Sequence, residues 1–140
     1  MRIAVVDGQG GGIGKALVER LRIEFGNDID IIALGTNALA TSLMLRAGAD
    51  EGASGENAIV YNAGRVDVIL GAIGIIAADS MLGELTAQMA RAIAASPAQK
   101  ILIPMNRCNI QVAGVRNAPL PQYIDEAAAQ VKAYMENRQK

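Results

Sequence analysis

Near the start of the chain, the nine residues Asp7-Gly8-Gln9-Gly10-Gly11-Gly12-Ile13-Gly14-Lys15 include five glycines. They lie between a short apolar run, Arg2 to Val6, and a segment in which Ile13, Leu17, Val18, Leu21 and Phe25 recur at helical spacing. This pattern constrains the fold more than any other in the sequence. Glycines permit positive φ and close backbone approach, and the first turn of a helix offers N–H groups with no partner in the helix. The segment therefore predicts a buried strand, a turn able to cradle an anion, and an amphipathic helix.

The same alternation continues along the chain. Gly26-Asn27-Asp28 ends the helix before a second apolar run, Ile29 to Leu34, and Gly35-Thr36-Asn37 turns into a helix closed by Gly48. Asp50 to Ser54 reads as a short strand or a loop, with Ser54 or Gly55 capping the next helix. Val66 to Leu70 predicts a strand, and Gly71-Ala72-Ile73-Gly74 leads into a helical stretch to about Leu82. Thr86 caps a helix stopped by Ser96-Pro97, and Lys100 to Ile103 is the next strand. Residues 105–121 are irregular with a short strand expected at Ile110 to Ala113, and Ile124, Ala127, Ala128, Val131 and Met135 mark a terminal helix. Strands alternating with helices predict a three-layer, doubly wound α/β domain with a mostly parallel sheet, Rossmann-like, filling residues 1–140 as one domain. Ligands in such sheets bind beyond the carboxyl ends of the strands, at the point where the strand order reverses.

Spacing decides which ligand the glycine turn suits. The strict G-x-G-x-x-G dinucleotide pattern fails, because Gly8 and Gly10 lead to Ile13, and Gly10 and Gly12 lead to Lys15. The pattern G-x-x-x-G-I-G fits Gly8, Gly12, Ile13 and Gly14 and resembles the cofactor turn of short-chain dehydrogenases. Their chemistry needs a tyrosine four residues before a lysine, whereas Tyr61 leads to Arg65, Tyr123 to Ala127 and Tyr134 to Arg138. Gly12-Ile13-Gly14-Lys15 looks like the end of a P-loop, but the first glycine of that motif falls at Gln9 and its Ser/Thr at Ala16. A preference for NAD usually shows as an acidic residue ending the second strand, where it bonds the ribose hydroxyls. Here that place reads Gly35-Thr36-Asn37, whose Thr36 and Asn37 can bond a sugar, and no arginine there signals NADP.

The candidate ligand-binding residues are Asp7, Gly8, Gln9, Gly10, Gly11, Gly12, Ile13, Gly14 and Lys15, with Thr36, Asn37, Gly71, Gly74, Asn106, Arg107 and Cys108 from the turns after later strands. Arg107 suits a phosphate or carboxylate. Cys108 is a nucleophile only where neighbours lower its pKa, and a buried inert thiol is the competing reading. Glu56-Asn57 and Asp79-Ser80 with Glu84 read as caps or solvated faces.

Composition removes several classes. The chain has no histidine and one cysteine, which excludes Ser-His-Asp and Cys-His mechanisms, histidine metal sites and intrachain disulfides; no metal is expected. A net charge of −1 gives no general attraction to nucleic acid or anionic membrane, and 3% aromatics leave little for base stacking. Apolar stretches are broken well short of the roughly 18 residues of a membrane span, and no basic segment precedes a signal-like core, so a cytoplasmic protein is expected. A 51% hydrophobic, alanine-rich chain of this size raises the expectation of a homo-oligomer.

Taken together, Val6 to Lys15, Ala33 to Ala40, Gly55-Glu56-Asn57-Ala58-Ile59-Val60-Tyr61-Asn62 and Ile103 to Ile110 resemble a small bacterial family catalogued as domain of unknown function 3842. The resemblance implies a Rossmann-like domain without assigned activity. The leading expectation is a nucleotide or NAD(P)-like dinucleotide, or another small anionic ligand, held by the glycine turn with Lys15, Asn37 and Arg107. Two others stand beside it. One is a small enzyme acting on a phosphorylated or carboxylated metabolite through Arg107 with Cys108 or Asp7, and the other is a structural oligomer subunit whose turn holds no ligand.

Overall fold

In the computed structural model, which describes residues 1–10, 12–105 and 109–139, the elements alternate as the sequence predicts. They are β1 (Arg2–Asp7), α1 (Gly12–Phe25), β2 (Asp30–Gly35), α2 (Ala38–Ala47), β3 (Glu51–Ser54), α3 (Glu56–Ala63), β4 (Val68–Ala72), α4 (Ala87–Ala95), β5 (Gln99–Ile103) and α5 (Leu120–Arg138). A 3-10 turn, Ile73–Ile76, follows β4. The five strands form one parallel sheet in the order β3-β2-β1-β4-β5.

The continuous apolar runs reflect burial on both faces, since successive strand residues point to opposite sides. Ile3, Val5, Ile31, Ala33, Val68 and Leu70 pack with Leu17, Val18 and Leu21 of α1, Met44 of α2 and Ile124, Ala127 and Val131 of α5. Ala4, Val6, Ile32, Leu34 and Ile69 pack on the other face with Ile59 and Ala63 of α3 and Met89, Ala90 and Ile93 of α4. Three layers result, doubly wound, with β1 at the centre. After β3 the chain crosses β1 to reach β4, so the strand order reverses between β1 and β4, and the turns that leave these two strands flank the expected crevice.

Local capping chemistry sets several helix ends. The Asn37 side chain accepts from Ala40 N–H at 2.8 Å to start α2, and Thr86 accepts from Met89 N–H at 3.2 Å to start α4. Gly48 ends α2 at φ +126°, its N–H donating to Leu45 and Met44 carbonyls.

Two expectations are corrected. No helix extends from Ile73 to Leu82. After the 3-10 turn the backbone is left-handed at Asp79, Met81, Leu82 and Gly83, which a helix cannot contain, and Ser80 Oγ donates to the Gly74 carbonyl at 2.6 Å. Residues 110–113 form no strand; they are exposed, and Val115 N–H closes a turn onto the Val112 carbonyl. Strand β4 begins two residues later than its apolar run and includes Gly71. Among the described residues, no helix is long and apolar enough to cross a membrane.

Candidate functional site

The site begins where β1 ends. Asp7 is its last residue and only 7% exposed. Its Oδ1 accepts from Gly8 N–H at 2.7 Å and its Oδ2 from Gly14 N–H at 2.5 Å. Gly14 is the third residue of α1, so the carboxylate takes one of the helix's otherwise unpaired donors and sits where the helix dipole favours negative charge. Burial pushes the Asp7 carboxyl above its ordinary range, the Gly14 and Gly8 N–H groups pull it back, and the charge of Glu84 adds to the rise.

This closure explains two of the glycines. A Cβ on Gly14 would lie 2.7 Å from Met44 Sδ and 2.8 Å from Asp7 Cβ. One on Gly8 would lie 2.5 Å from Thr36 Oγ1 and 2.7 Å from Met81 Sδ. At either position a side chain would fit only if Asp7, Thr36, Met44 or Met81 moved.

Gly10 and Gly12 differ. A Cβ at either meets nothing within 4 Å, and Gly10 does not occupy the left-handed region. The N–H groups of Gly10, Gly12 and Ile13 have no hydrogen-bond partner among the described residues. Gly10, Gly12 and Ile13 therefore present unpaired donors at the start of a helix, beside the reversal in strand order. Lys15 is half exposed, its Nζ 4.0 Å from Glu19 Oε1 on the next turn of α1.

Around Gln9 a second cluster forms. Gln9 has φ +48°, an uncommon conformation for a residue with a side chain, and its peptide groups are held on both sides. Its N–H donates to Glu84 Oε1 at 3.0 Å, and its carbonyl accepts from Asn37 Nδ2 at 3.2 Å. Glu84 Oε1 also accepts from Thr36 Oγ1 at 2.6 Å and from Asn37 Nδ2 at 2.8 Å. The Thr36 hydroxyl, then the Gln9 N–H and the Asn37 amide, hold the Glu84 carboxyl below its ordinary range. Glu84 ends a tight loop closed by an antiparallel bridge between Ser80 and Leu85. The sequence groups this residue with Asp79 and Ser80 as a cap or solvated face; nothing local marks it, because its partners lie 47, 48 and 75 residues away.

The structure thus brings together Asp7, Gly8, Gln9, Gly14, Thr36 and Asn37, and adds Glu84. Gly71 lies within β4, where a Cβ would come 2.7 Å from the Val6 carbonyl oxygen, and Gly74 is buried in the 3-10 turn. Gly11, Asn106, Arg107 and Cys108 lie outside the described residues. Among the described residues no three His, Cys, Asp or Glu side chains are grouped to hold a metal ion. A hollow of about 410 Å³ lined by Met1, Asp28, Asp67, Met135, Arg138 and Gln139 lies at the opposite ends of the strands.

Residues 2–136 match the family model described as Domain of unknown function (DUF3842). The chain belongs to this family. No curated protein matches it. Among solved structures, the chain is similar to a dodecameric FMN-dependent UbiX-like decarboxylase from Escherichia coli O157:H7, at 16% identity and a TM-score of 0.45 over 93% of this chain and 76% of that one. Likeness at that level bears on neither ligand nor assembly.

Proposed function

We propose that this domain binds a nucleotide or dinucleotide, with a phosphate seated on the N–H groups of Gly10, Gly12 and Ile13. The observation that carries this reading is Gly10. Neither its backbone conformation nor its neighbours require glycine, and its N–H is unpaired among the described residues. A missing side chain at such a position lets a ligand approach the backbone closely. Unpaired donors at the start of a helix suit the phosphate, since the helix dipole adds to the N–H groups.

Asp7 takes a supporting role in this reading. Both its oxygens accept from the turn, so it fixes the shape of the cradle and leaves the ligand to the N–H groups beyond it. Asn37 is likewise engaged at both ends of its amide, with Ala40 N–H on one side and Gln9 and Glu84 on the other. The specific contact to the rest of the ligand falls to Glu84, which Thr36 and Asn37 hold by one carboxylate oxygen.

Native mass spectrometry tests the proposal and reads the expected self-association in the same spectrum. Protein incubated with an equimolar mixture of common nucleotides retains one of them as a stoichiometric adduct, and the Gly12→Val variant, at a position where a Cβ meets nothing within 4 Å, does not. Spectra showing only unliganded protein at millimolar nucleotide would refute the reading.

A further inference from the structure

We infer that Glu84 is the acceptor for the ribose hydroxyls of the bound ligand, which makes that ligand a ribonucleotide with an unphosphorylated 2′ hydroxyl; this rests on the nucleotide reading above. In parallel-sheet nucleotide sites an acidic residue ending the second strand commonly bonds the ribose. This chain has Gly35-Thr36-Asn37 at that place and no acid. The structure supplies one from elsewhere. Thr36 and Asn37, the two residues that follow β2, hold the carboxylate of Glu84 at 2.6 and 2.8 Å.

The carboxylate is held by one oxygen. Oε1 accepts from Gln9 N–H, Thr36 Oγ1 and Asn37 Nδ2, while Oε2 has no partner among the described residues. A carboxylate accepts about four hydrogen bonds, so Oε2 stays open to donors, and a vicinal diol is a pair of donors. Gln9 precedes Gly10 directly, so this acceptor adjoins the N–H groups proposed for the phosphate.

The support behind Glu84 is firm. Leu85 is fully buried, Asp79 N–H donates to the Leu85 carbonyl at 2.8 Å, Leu85 N–H to the Ser80 carbonyl at 3.2 Å, and Ser80 Oγ to the Gly74 carbonyl at 2.6 Å. Left-handed backbone at three non-glycine residues, Asp79, Met81 and Leu82, lies inside the loop that these contacts close. Strained geometry of this kind persists where the surroundings over-determine it, and it clusters at binding sites. A fixed anion rejects a 2′-phosphate by repulsion and loses its donor when the 2′ hydroxyl is missing.

The test is binding of the four ribonucleoside monophosphates, their 2′-deoxy counterparts, NAD and NADP to the wild-type domain and to Glu84→Gln, by calorimetric titration. For whichever bases bind, the wild type prefers ribose to deoxyribose, and NAD to NADP, by about tenfold or more, the range for hydrogen bonds to a charged group. In E84Q both preferences shrink several-fold. The wild-type ratios need no variant, so the test survives a misfolded E84Q. Binding without sugar preference, preferences unchanged in E84Q, or tighter binding of every ligand to E84Q would each overturn the role of Glu84 while leaving the nucleotide reading intact. Absence of binding by any ligand would overturn both.

Discussion

Thr36 Oγ1 donates a 2.6 Å hydrogen bond to Glu84 Oε1, joining the end of β2 to a loop that follows β4 on the far side of β1. That bond comes first among those lowering the Glu84 carboxyl pKa. In Thr36→Val the Glu84 carboxyl titrates closer to its ordinary range, an upward movement read by carbon-detected NMR of the side-chain carboxyl. An unmoved titration would show that the hydroxyl does not hold the charge.

The glycines of the turn separate into two kinds, and alanine distinguishes them. Gly14→Ala places a methyl against Met44 Sδ and Asp7, and overpacking of this sort costs about 1–3 kcal/mol. Gly10→Ala meets open space and stays within roughly 0.5 kcal/mol of wild type, as surface changes usually do. Urea unfolding of the two variants measures both. Equal losses would contradict the division of the turn into a packed part and an open part.

Asp7 and Glu84 make opposite contributions to the pH dependence of stability. The folded value of Asp7 is raised, so the native state binds more protons than the unfolded one, and stability falls as pH rises from the unfolded value through the raised folded value. Glu84 is lowered, so its contribution is present above its unfolded value and is lost as pH falls through the folded one. Asp7→Asn removes the first slope and keeps the second. It also lowers stability at neutral pH by about 1–3 kcal/mol, because one amide oxygen must serve two buried N–H donors. Denaturant midpoints of both proteins across the acid range check the slopes and the offset.

Much of this architecture is legible in the sequence because its causes are local. The runs Arg2 to Val6 and Ile29 to Leu34 are apolar throughout because a parallel sheet covered on both faces buries every residue, and these became β1 and β2 within a residue or two. Asn37, Gly48, Thr86 and Ser96-Pro97 mark helix ends through short-range hydrogen bonds and backbone geometry. The loop from residue 77 to 85 was not legible, since Asp79, Met81 and Leu82 take left-handed backbone that only Gly83 advertises, within a loop closed by bonds among residues 74 to 85. Glu84 was missed because its partners Gln9, Thr36 and Asn37 are distant in the chain. Its seat exists only once β2 and β4 stand on either side of β1, and no spacing in the chain encodes that. The glycine turn lay between these cases: its position was readable, while the split between Gly8 and Gly14, which packing requires, and Gly10 and Gly12, which face open space, depends on Met44, Thr36 and Met81.

The most direct test of the account is a titration of the isotope-labelled 14.6 kDa domain with a nucleotide, followed through its backbone amide spectrum. The account predicts that the amides of Gly10, Gly12 and Ile13 move first and furthest, with Gln9 and Thr36 following. No movement at saturating nucleotide, or movement confined to the hollow beside Met135 and Arg138, would contradict it.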